Sequence, residues 1–288
     1  EERYPSEGSG EDRRKGYLED AGKRMPFLDR IVYTLDKEPT SVWNKFLQGY
    51  YDAAGIPSDS FERAVAISIE GSPEVGGELK DKGIVMHREA ALSTSYIAVN
   101  MLDPLVGGLD EARCKLRQAL GIVIDMEERI QIFMNGRGLA AQSPLPPGIF
   151  GAEEGPEAMN RYVYDWDAKA AAPKRKSLDE AKRLLAEAGY PGGIGPDGKQ
   201  LVIRFDHAMT SAPDQQYLAW LAQCVGLLGV HLDCDSGKSD YNRFQDKAHN
   251  GSLQMFPWGW NADYPDPENF LFLLYGPNAR SGTDGANS

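Results

Sequence analysis

The sequence is poor in the residues from which reactive centres are usually built. It holds three cysteines, Cys114, Cys224 and Cys234. The number is odd and no two stand in C-x-x-C spacing, so neither a structural zinc site nor a disulfide framework is indicated. Cys224 lies in an apolar helical run and Cys234 closes a strand-like one; each reads as a small buried hydrophobe, and a bridge between them stays open. The four histidines, His87, His207, His231 and His249, lie far apart without metal-ligand spacing. His87 and His231 fall in strand-like patterns, where a hydrogen-bonded structural role is expected. No metal and no cofactor are expected. There is no G-x-S-x-G elbow and no recognisable cysteine nucleophile. No stretch reaches the ~18 apolar residues of a membrane helix. The opening "EERYPSEGSGEDRRKG" is polar throughout and is not a signal peptide. The first residue is Glu1 rather than Met, so a leader outside this stretch is expected.

Positive charge is also short. Lys and Arg number 31 against 43 Asp and Glu, a formal net charge of −12. Nucleic-acid binding needs clustered bases to neutralise phosphates, and anionic lipid makes the same demand; both are argued against. An acidic, solubilising surface is the plain reading, and a mild preference for cationic ligands is the other. What the chain does have is a globular balance, 41 % hydrophobic and 26 % charged over 288 residues. That length points to about two domains.

Residues 1–16 read as an exposed polar segment. "PFLDRIVYTLD" has strand composition, and "PTSVWNKFLQGYYDAAGI" reads as a helix running into a short strand. The helix carries Val42, Trp43, Phe46 and Leu47. "SDSFERAV" suggests a short helix capped by Ser58 or Asp59. "KGIVMHREA" and "STSYIAVNML" read as strands. "LDEARCKLRQALGIVIDMEERIQIFMNG" gives two helices with a break between Gly121 and Asp125, followed by a Pro- and Gly-rich loop.

"SLDEAKRLLAEAGY" is the clearest helix. Ser177 and Glu180 have capping-box spacing, Ala181, Leu184, Leu185 and Ala188 form one apolar face, and Gly189 is a natural stop. Beyond it, "KQLVIRFDHA", "VHLDCD" and "SLQMFPWGW" read as strands. They alternate with helices over "PDQQYLAWLAQCVGLLG", "SDYNRFQDKAHNG" with Ser239 as cap, and "DPENFLFLLYG". That alternation implies a largely parallel α/β layer.

Two motifs fail on context. "GGIGPDG" contains G-x-G-x-x-G at Gly193, Gly195 and Gly198. A helix precedes it and a strand follows, the reverse of the order a dinucleotide needs. "DCDSGKSDYNRF" puts Gly237, Lys238 and Phe244 where a calcium loop needs an oxygen ligand, a glycine and a glutamate.

The stretch "WGWNADYPDPENF", residues 258–270, is different. Asp263 and Asp266 have the spacing of an acid/base pair. Asp266, however, precedes Pro267 and Glu268 in the grammar of a helix start, so a cap is expected of it. Asp263 falls between a strand end and a helix start, beside Trp260, Asn261 and Tyr264, where ligands collect in α/β sheets. A carboxylate among aromatic rings suits a ligand with a cationic group and apolar parts. The other reading, core tryptophans and a solvated turn aspartate, has equal weight on composition alone.

These residues resemble a family. "WGWNADYPDPENF" is similar to the W-x-x-D-y-x-D-P segment of the large solute-binding proteins of ABC importers, the oligopeptide- and dipeptide-binding type (family 5). "SLDEAKRLLAEAGYPGG" resembles that family's D-x-x-x-A-x-x-L-L-x-E-A-G-Y-P segment. "LRQALGIVIDMEERIQIFMNGRGLAAQSPLPPGIFG", "YIAVNMLDPLVGG" and "LAWLAQCVGLLGVHLD" match further segments in the right order, from about residue 17 to the end.

The resemblance implies a periplasmic-binding-protein-like (type II) two-lobed α/β clamp. Such a clamp closes on a peptide or similar small solute and delivers it to a membrane permease, without covalent chemistry. It implies that Asp263 pairs with the ligand's α-ammonium group, with Trp260 in the matching tryptophan position and Asn100 near a hinge strand; Trp258, Tyr264 and Asn261 are expected to complete the wall around it. Asn261 and Ala262 fall at variable positions and do not identify the solute.

Family members are much longer, so a fragment is expected. Residues 1–98 would be a partial first lobe. Residues 99–288 would be most of the second, without the return to the first. A periplasmic or lipid-anchored monomer is expected. Alternatives are a hydrolase using Asp263 and Asp266, or a chaperone-like module that binds extended peptides.

Overall fold

The computed structural model describes residues 2–67, 73–87 and 90–278. The chain divides into two compact units, residues 1–76 and 77–288.

The first unit has little regular structure. It contains α1 (Gly10–Arg14), α2 (Pro39–Leu47), α3 (Phe61–Ala64) and an antiparallel pair, β1 (Val65–Ile67) with β2 (Pro73–Val75). In α2 the buried residue is Trp43, stacked on Phe46 with ring centroids 5.4 Å apart. The expected strand over residues 26–36 is not formed, and neither is the short strand after α2. A 3-10 turn, Ser58–Ser60, leads into α3, with Pro57 at the N-cap position and no side-chain cap, so neither Ser58 nor Asp59 caps it.

The second unit begins with α4 (Gly77–Asp81) and β3 (Ser93–Val99). The strand expected near His87 is absent from the described residues; His87 is exposed, and residues 88–89 of that expectation lie outside them. Next come α5 (Glu111–Val123) and α6 (Met126–Met134), broken where Asp125 accepts a hydrogen bond from the Glu128 N–H and caps the second helix. After a long loop, β4 (Tyr164–Asp167) pairs antiparallel with β5 (Ala172–Arg175).

Helix α7 (Leu178–Glu187) follows, with Ala181, Leu184, Leu185 and Ala188 all buried as its apolar spacing requires. Ser177 caps it through the Glu180 N–H, but only half of the capping box forms, because the Glu180 carboxylate turns to Arg183 instead. Gly189, at φ +94°, takes the left-handed conformation that ends the helix.

The remainder is β6 (Val202–Arg204), α8 (Ala212–Gly226), β7 (His231–Asp233), α9 (Tyr241–His249), β8 (Met255–Asn261) and α10 (Glu268–Leu271). Strands β6 and β7 are parallel, joined through α8. A parallel bridge, Phe205 with Met255, brings β8 to the other side of β6. Strand β8 pairs antiparallel with β3 along its whole length, Ser93 opposite Asn261 and Val99 opposite Met255. The order is β7, β6, β8, β3. The architecture is mixed α/β rather than the largely parallel layer expected.

Helices α5, α7 and α8 bury their apolar faces on these strands with Ile203, Phe205, Leu221 and Val225 at the centre. Each fully buried aliphatic or aromatic side chain contributes roughly 1.5–3 kcal/mol. Cys224 is buried in this core, Cys234 packs against it, and all three cysteines are free. His231 is in a strand, as expected, but faces solvent.

The glycines of "GGIGPDG" have a packing role. A Cβ on Gly193 would lie 2.3 Å from the Gly229 carbonyl oxygen, and one on Gly229 would lie 2.2 Å from that of Gly192. Two backbones cross here, and only glycine fits.

Candidate functional site

The site grows out of the β3–β8 ribbon. Successive side chains on a strand point to opposite faces. Met255, Pro257 and Gly259 share one face, and Met255 is sunk in the main core. Phe256, Trp258 and Trp260 share the other, opposite Ala98, Tyr96 and Thr94 of β3. Phe256 and Trp258 pack on Phe244 of α9, with centroids 5.9 Å apart between Phe256 and Trp258 and 5.8 Å between Phe244 and Trp258. Trp260 meets Phe272 edge-on at 5.3 Å. The three aromatics thus form one half-buried ladder leading to the loop after β8.

That loop, residues 262–267, is held by a residue the sequence reading did not single out. Asn269 is 3 % exposed. Its Oδ1 accepts from the Trp260 indole N–H and from the Asp263 backbone N–H, each at 2.9 Å. One oxygen therefore fixes both the ring before the turn and the aspartate within it. Ala262 N–H donates to the Leu92 carbonyl at 2.8 Å, tying the loop to the segment before β3.

Asp266 does not take the N-cap position expected of it, but its side chain and its carbonyl both bond to the first turn of the helix. Its Oδ1 accepts from the Glu268 N–H at 2.9 Å and its carbonyl from the Asn269 N–H at 3.1 Å. The helix starts one residue later than expected, with Pro267 at the N-cap position. Tyr264 is exposed and hydrogen-bonds the Glu268 carboxylate, which pushes its phenol pKa up. Asn261 ends β8, exposed.

Asp263 is exposed too. Among the described residues no group hydrogen-bonds or pairs with its carboxylate. The structure thus brings Trp260, Asn261, Asp263 and Tyr264 to one strand-to-helix turn, and sets Trp258 further back in the ladder.

Asn100 stands at the far end of the ribbon. Its Nδ2 donates to the Gly251 and Leu253 carbonyls, both at 2.8 Å, and its Oδ1 accepts from the Leu102 N–H. The end of β3 is thereby clamped to the approach to β8.

A second group of residues roots β8. Asp206 is fully buried and accepts from Arg204 Nε at 2.9 Å, Lys247 Nζ at 3.0 Å and the Gln254 N–H at 2.8 Å. Beside it, His207 is buried, its Nε2 3.0 Å from the Cys234 carbonyl and its Nδ1 accepting from the Met209 N–H at 3.1 Å. These two contacts select the neutral tautomer with the proton on Nε2. Burial pushes the His207 pKa down. The next helix is capped by Asp240, whose side chain accepts from the Arg243 N–H; the expected cap, Ser239, instead has a buried hydroxyl with no hydrogen-bond partner among the described residues.

Among the described residues no cluster of three His, Cys, Asp or Glu could hold a metal, and no helix is long and apolar enough to cross a membrane. A hollow of about 290 Å³ lies elsewhere, lined by Pro104, Leu105, Asp110, Arg113, Leu116 and Tyr190. Its two charges, Asp110 and Arg113, pair with each other at 2.9 Å. An unneutralised carboxylate beside aromatic rings is the stronger recognition feature, which places the candidate site at the turn after β8.

Comparison with known proteins bears on this geometry. The model of the bacterial extracellular solute-binding proteins, family 5 (middle), matches residues 12–282. Heme-binding protein A of Haemophilus influenzae is 26 % identical over 250 residues, 86 % of this chain and 39 % of that protein. The dipeptide-binding protein of Escherichia coli is 24 % identical over 250 residues, 87 % and 40 % of the two chains. Among solved structures, the periplasmic binding protein DppA from Helicobacter pylori, in complex with the peptide STSA, superposes with a TM-score of 0.60 at 20 % identity. It covers 88 % of this chain and 41 % of that one. The chain spans about two fifths of the length of these proteins.

Proposed function

The chain belongs to the bacterial extracellular solute-binding proteins of family 5, and from that premise we propose that it captures peptides or similar small solutes bearing an ammonium group. Asp263 is the charge partner. Trp260 and Tyr264 supply the apolar wall, Trp258 backs it, and Asn261 lies at the rim. Residues 1–98 belong to one lobe of a clamp and residues 99–288 to the other, with Asn100 at the crossing. The captured solute passes to an ABC permease, and the protein performs no covalent chemistry on it. Its place is the periplasm or the outer face of a membrane, to which it is held by a lipid.

The observation that carries this reading is the Asp263 carboxylate. It is exposed, has no partner among the described residues, and is fixed at its backbone by Asn269. A carboxylate so placed gains a charge-assisted hydrogen bond from an incoming ammonium without first losing an internal partner. Calorimetric titration of the 288-residue chain with di- and tripeptides provides the test. Asp263→Asn should weaken binding about 10- to 100-fold, the worth of one charged hydrogen bond. Acetylating the peptide's amine should weaken binding by a similar factor. Equal affinities in both comparisons would remove Asp263 from the site, and consumption of the peptide would move the protein to the hydrolases.

A further inference from the structure

The ladder of β3 and β8 sets Thr94 directly opposite Trp260. Side chains so placed stand on one face of the ribbon with Cβ atoms about 4.5–5.5 Å apart. Thr94 is half-buried, and its Oγ1 donates to the Pro144 carbonyl, 50 residues away in sequence, at 3.0 Å. The Pro- and Gly-rich loop between α6 and β4 is thereby fastened to the ribbon beside Trp260.

The loop is stiff where it reaches the ribbon. Ser143 Oγ accepts from the Leu145 N–H and donates to the Leu145 carbonyl, both at 3.2 Å. Pro144, Pro146 and Pro147 have φ fixed by their rings. Pro146 and Ile149 are buried and root the loop, whereas Pro144 and Pro147 are exposed. The far end of the loop reaches the same place. A Cβ on Gly148 would lie 3.7 Å from Leu92 Cδ2, and the Leu92 carbonyl accepts from the Ala262 N–H of the turn after β8. Between Pro144 and Pro147 the one N–H belongs to Leu145 and is taken by Ser143. This stretch therefore turns pyrrolidine CH surface to solvent and offers no free N–H donor.

We propose that this loop is a second wall of the candidate site, across Thr94 from Trp260, and that Thr94 is the positioning residue that holds it there. The inference rests on the reading of Asp263 as the ammonium partner and deepens it by naming the ligand's first residue. With the ammonium group on Asp263, the side chain of the same residue lies between the indole and the Pro144 ring, over Thr94. Neither wall offers it a hydrogen bond, because the indole N–H is already given to Asn269. A polar side chain loses water there without replacement. An aliphatic or aromatic one buries CH surface against walls that are already ordered, so little entropy is lost on contact. The site thus selects peptides whose first residue is apolar.

Calorimetric titration of the 288-residue chain with leucyl-alanine, glycyl-alanine and seryl-alanine reads the selection as a ratio of affinities, with thermal unfolding to check that each variant folds. The wild type should favour leucyl-alanine about tenfold over the other two, the lower end for a buried leucine side chain. Thr94→Val keeps the shape of the side chain and removes the hydroxyl that holds Pro144. It should cut the ratio to about threefold or less and leave glycyl-alanine binding as it was. Thr94→Ser keeps the hydroxyl and should keep the ratio. Pro144→Gly keeps the carbonyl, removes the ring and should cut the ratio as well. Equal binding of the three peptides by the wild type would overturn the proposal and leave Asp263 in place. So would a full ratio in Thr94→Val or in Pro144→Gly, a lost ratio in Thr94→Ser, or a Thr94→Val that weakens all three peptides by one factor. Binding that is absent, or indifferent to Asp263→Asn, would overturn the reading of Asp263 and this inference with it.

Discussion

Asn269 holds two donors with one oxygen, and the orientation of the candidate site depends on it. Replacing it with alanine leaves the part-buried Trp260 indole N–H and Asp263 backbone N–H without their acceptor. The cost is about 1–3 kcal/mol. Asn269→Ala should therefore lower the urea midpoint, redden Trp260 fluorescence and speed exchange of the Asp263 amide. Asn269→Asp keeps the acceptor oxygen and should hold the amide in place. Asp206 sets up a larger effect. Its loss leaves Lys247 and Arg204 facing each other and strips the Gln254 N–H of its acceptor. Both cations reach water in part, so Asp206→Ala should cost about 3 kcal/mol, the lower end for a broken buried ion pair. Asp263 was legible in the sequence as a carboxylate at a strand end among aromatics, and Asp266 as part of a helix start, though it lies one residue outside the N-cap position that Pro267 takes. Asn269 was not, because a buried asparagine in a first helical turn reads as an ordinary polar residue until its neighbours in space are known. Asp206 left a fainter trace: Arg204 and Asp206 are opposite charges two apart, on one face of a strand.

Helix ends are the elements best written in the sequence, since a cap acts over three residues. Ser177, Asp125 and Asp110 each accept from the N–H three positions on. Ser177→Ala should cost about 1 kcal/mol, whereas Glu180→Ala should change stability by less than about 0.5 kcal/mol. The reason is that Glu180 pairs with exposed Arg183 rather than closing the capping box. Thermal unfolding of the two variants decides between a half box and a whole one. At α9 the cap moved by one residue, from Ser239 to Asp240, which nothing in the local grammar could separate. Strands were less legible, because a strand needs a partner that lies far away in sequence. Residues 93–99 and 255–261 carry the composition and find each other. Residues 26–36 carry it equally and find nothing among the described residues. The helix–strand alternation suggested parallel pairing, yet β8 runs antiparallel to β3 because the chain enters it from the other end of the ribbon. Gly193 and Gly229 were visible as loop glycines, but not as partners. Gly193→Ala drives a Cβ into the Gly229 carbonyl and should destabilise by more than about 2 kcal/mol.

Across the whole molecule the ionisable groups give stability one direction of response to acid. His207 is buried neutral, and its pKa lies below the usual histidine range because burial disfavours the charged ring. The groups around it are Asp206, Asp214, Lys238 and the Cys234 carbonyl; Lys238 pushes its pKa further down, while the others raise it without winning. Between the folded and unfolded pKa the unfolded chain binds the extra proton, so stability must fall as pH falls. His207 thus contributes in full above about pH 6.5, and its contribution is lost as the pH drops below that value. Asp214 acts with the same sign at lower pH. Hydrogen bonds from Ser211 and from the Thr210 and Ser211 N–H groups hold its pKa down against burial, so its contribution is present above the unfolded carboxylate pKa and is lost below it. The net charge of −12 shrinks over the same range, which relieves self-repulsion and works the other way. That term is screened by salt, whereas the His207 term, inside the core, is screened much less. Urea unfolding in high salt, between pH 7.5 and pH 5, therefore isolates it. The wild type should lose stability across that interval with a slope of at most about 1.4 kcal/mol per pH unit from this one proton. His207→Gln, with no ring to protonate, should start less stable and lose less on acidification. Parallel pH profiles for the two proteins would show that the ring's burial does not govern the response.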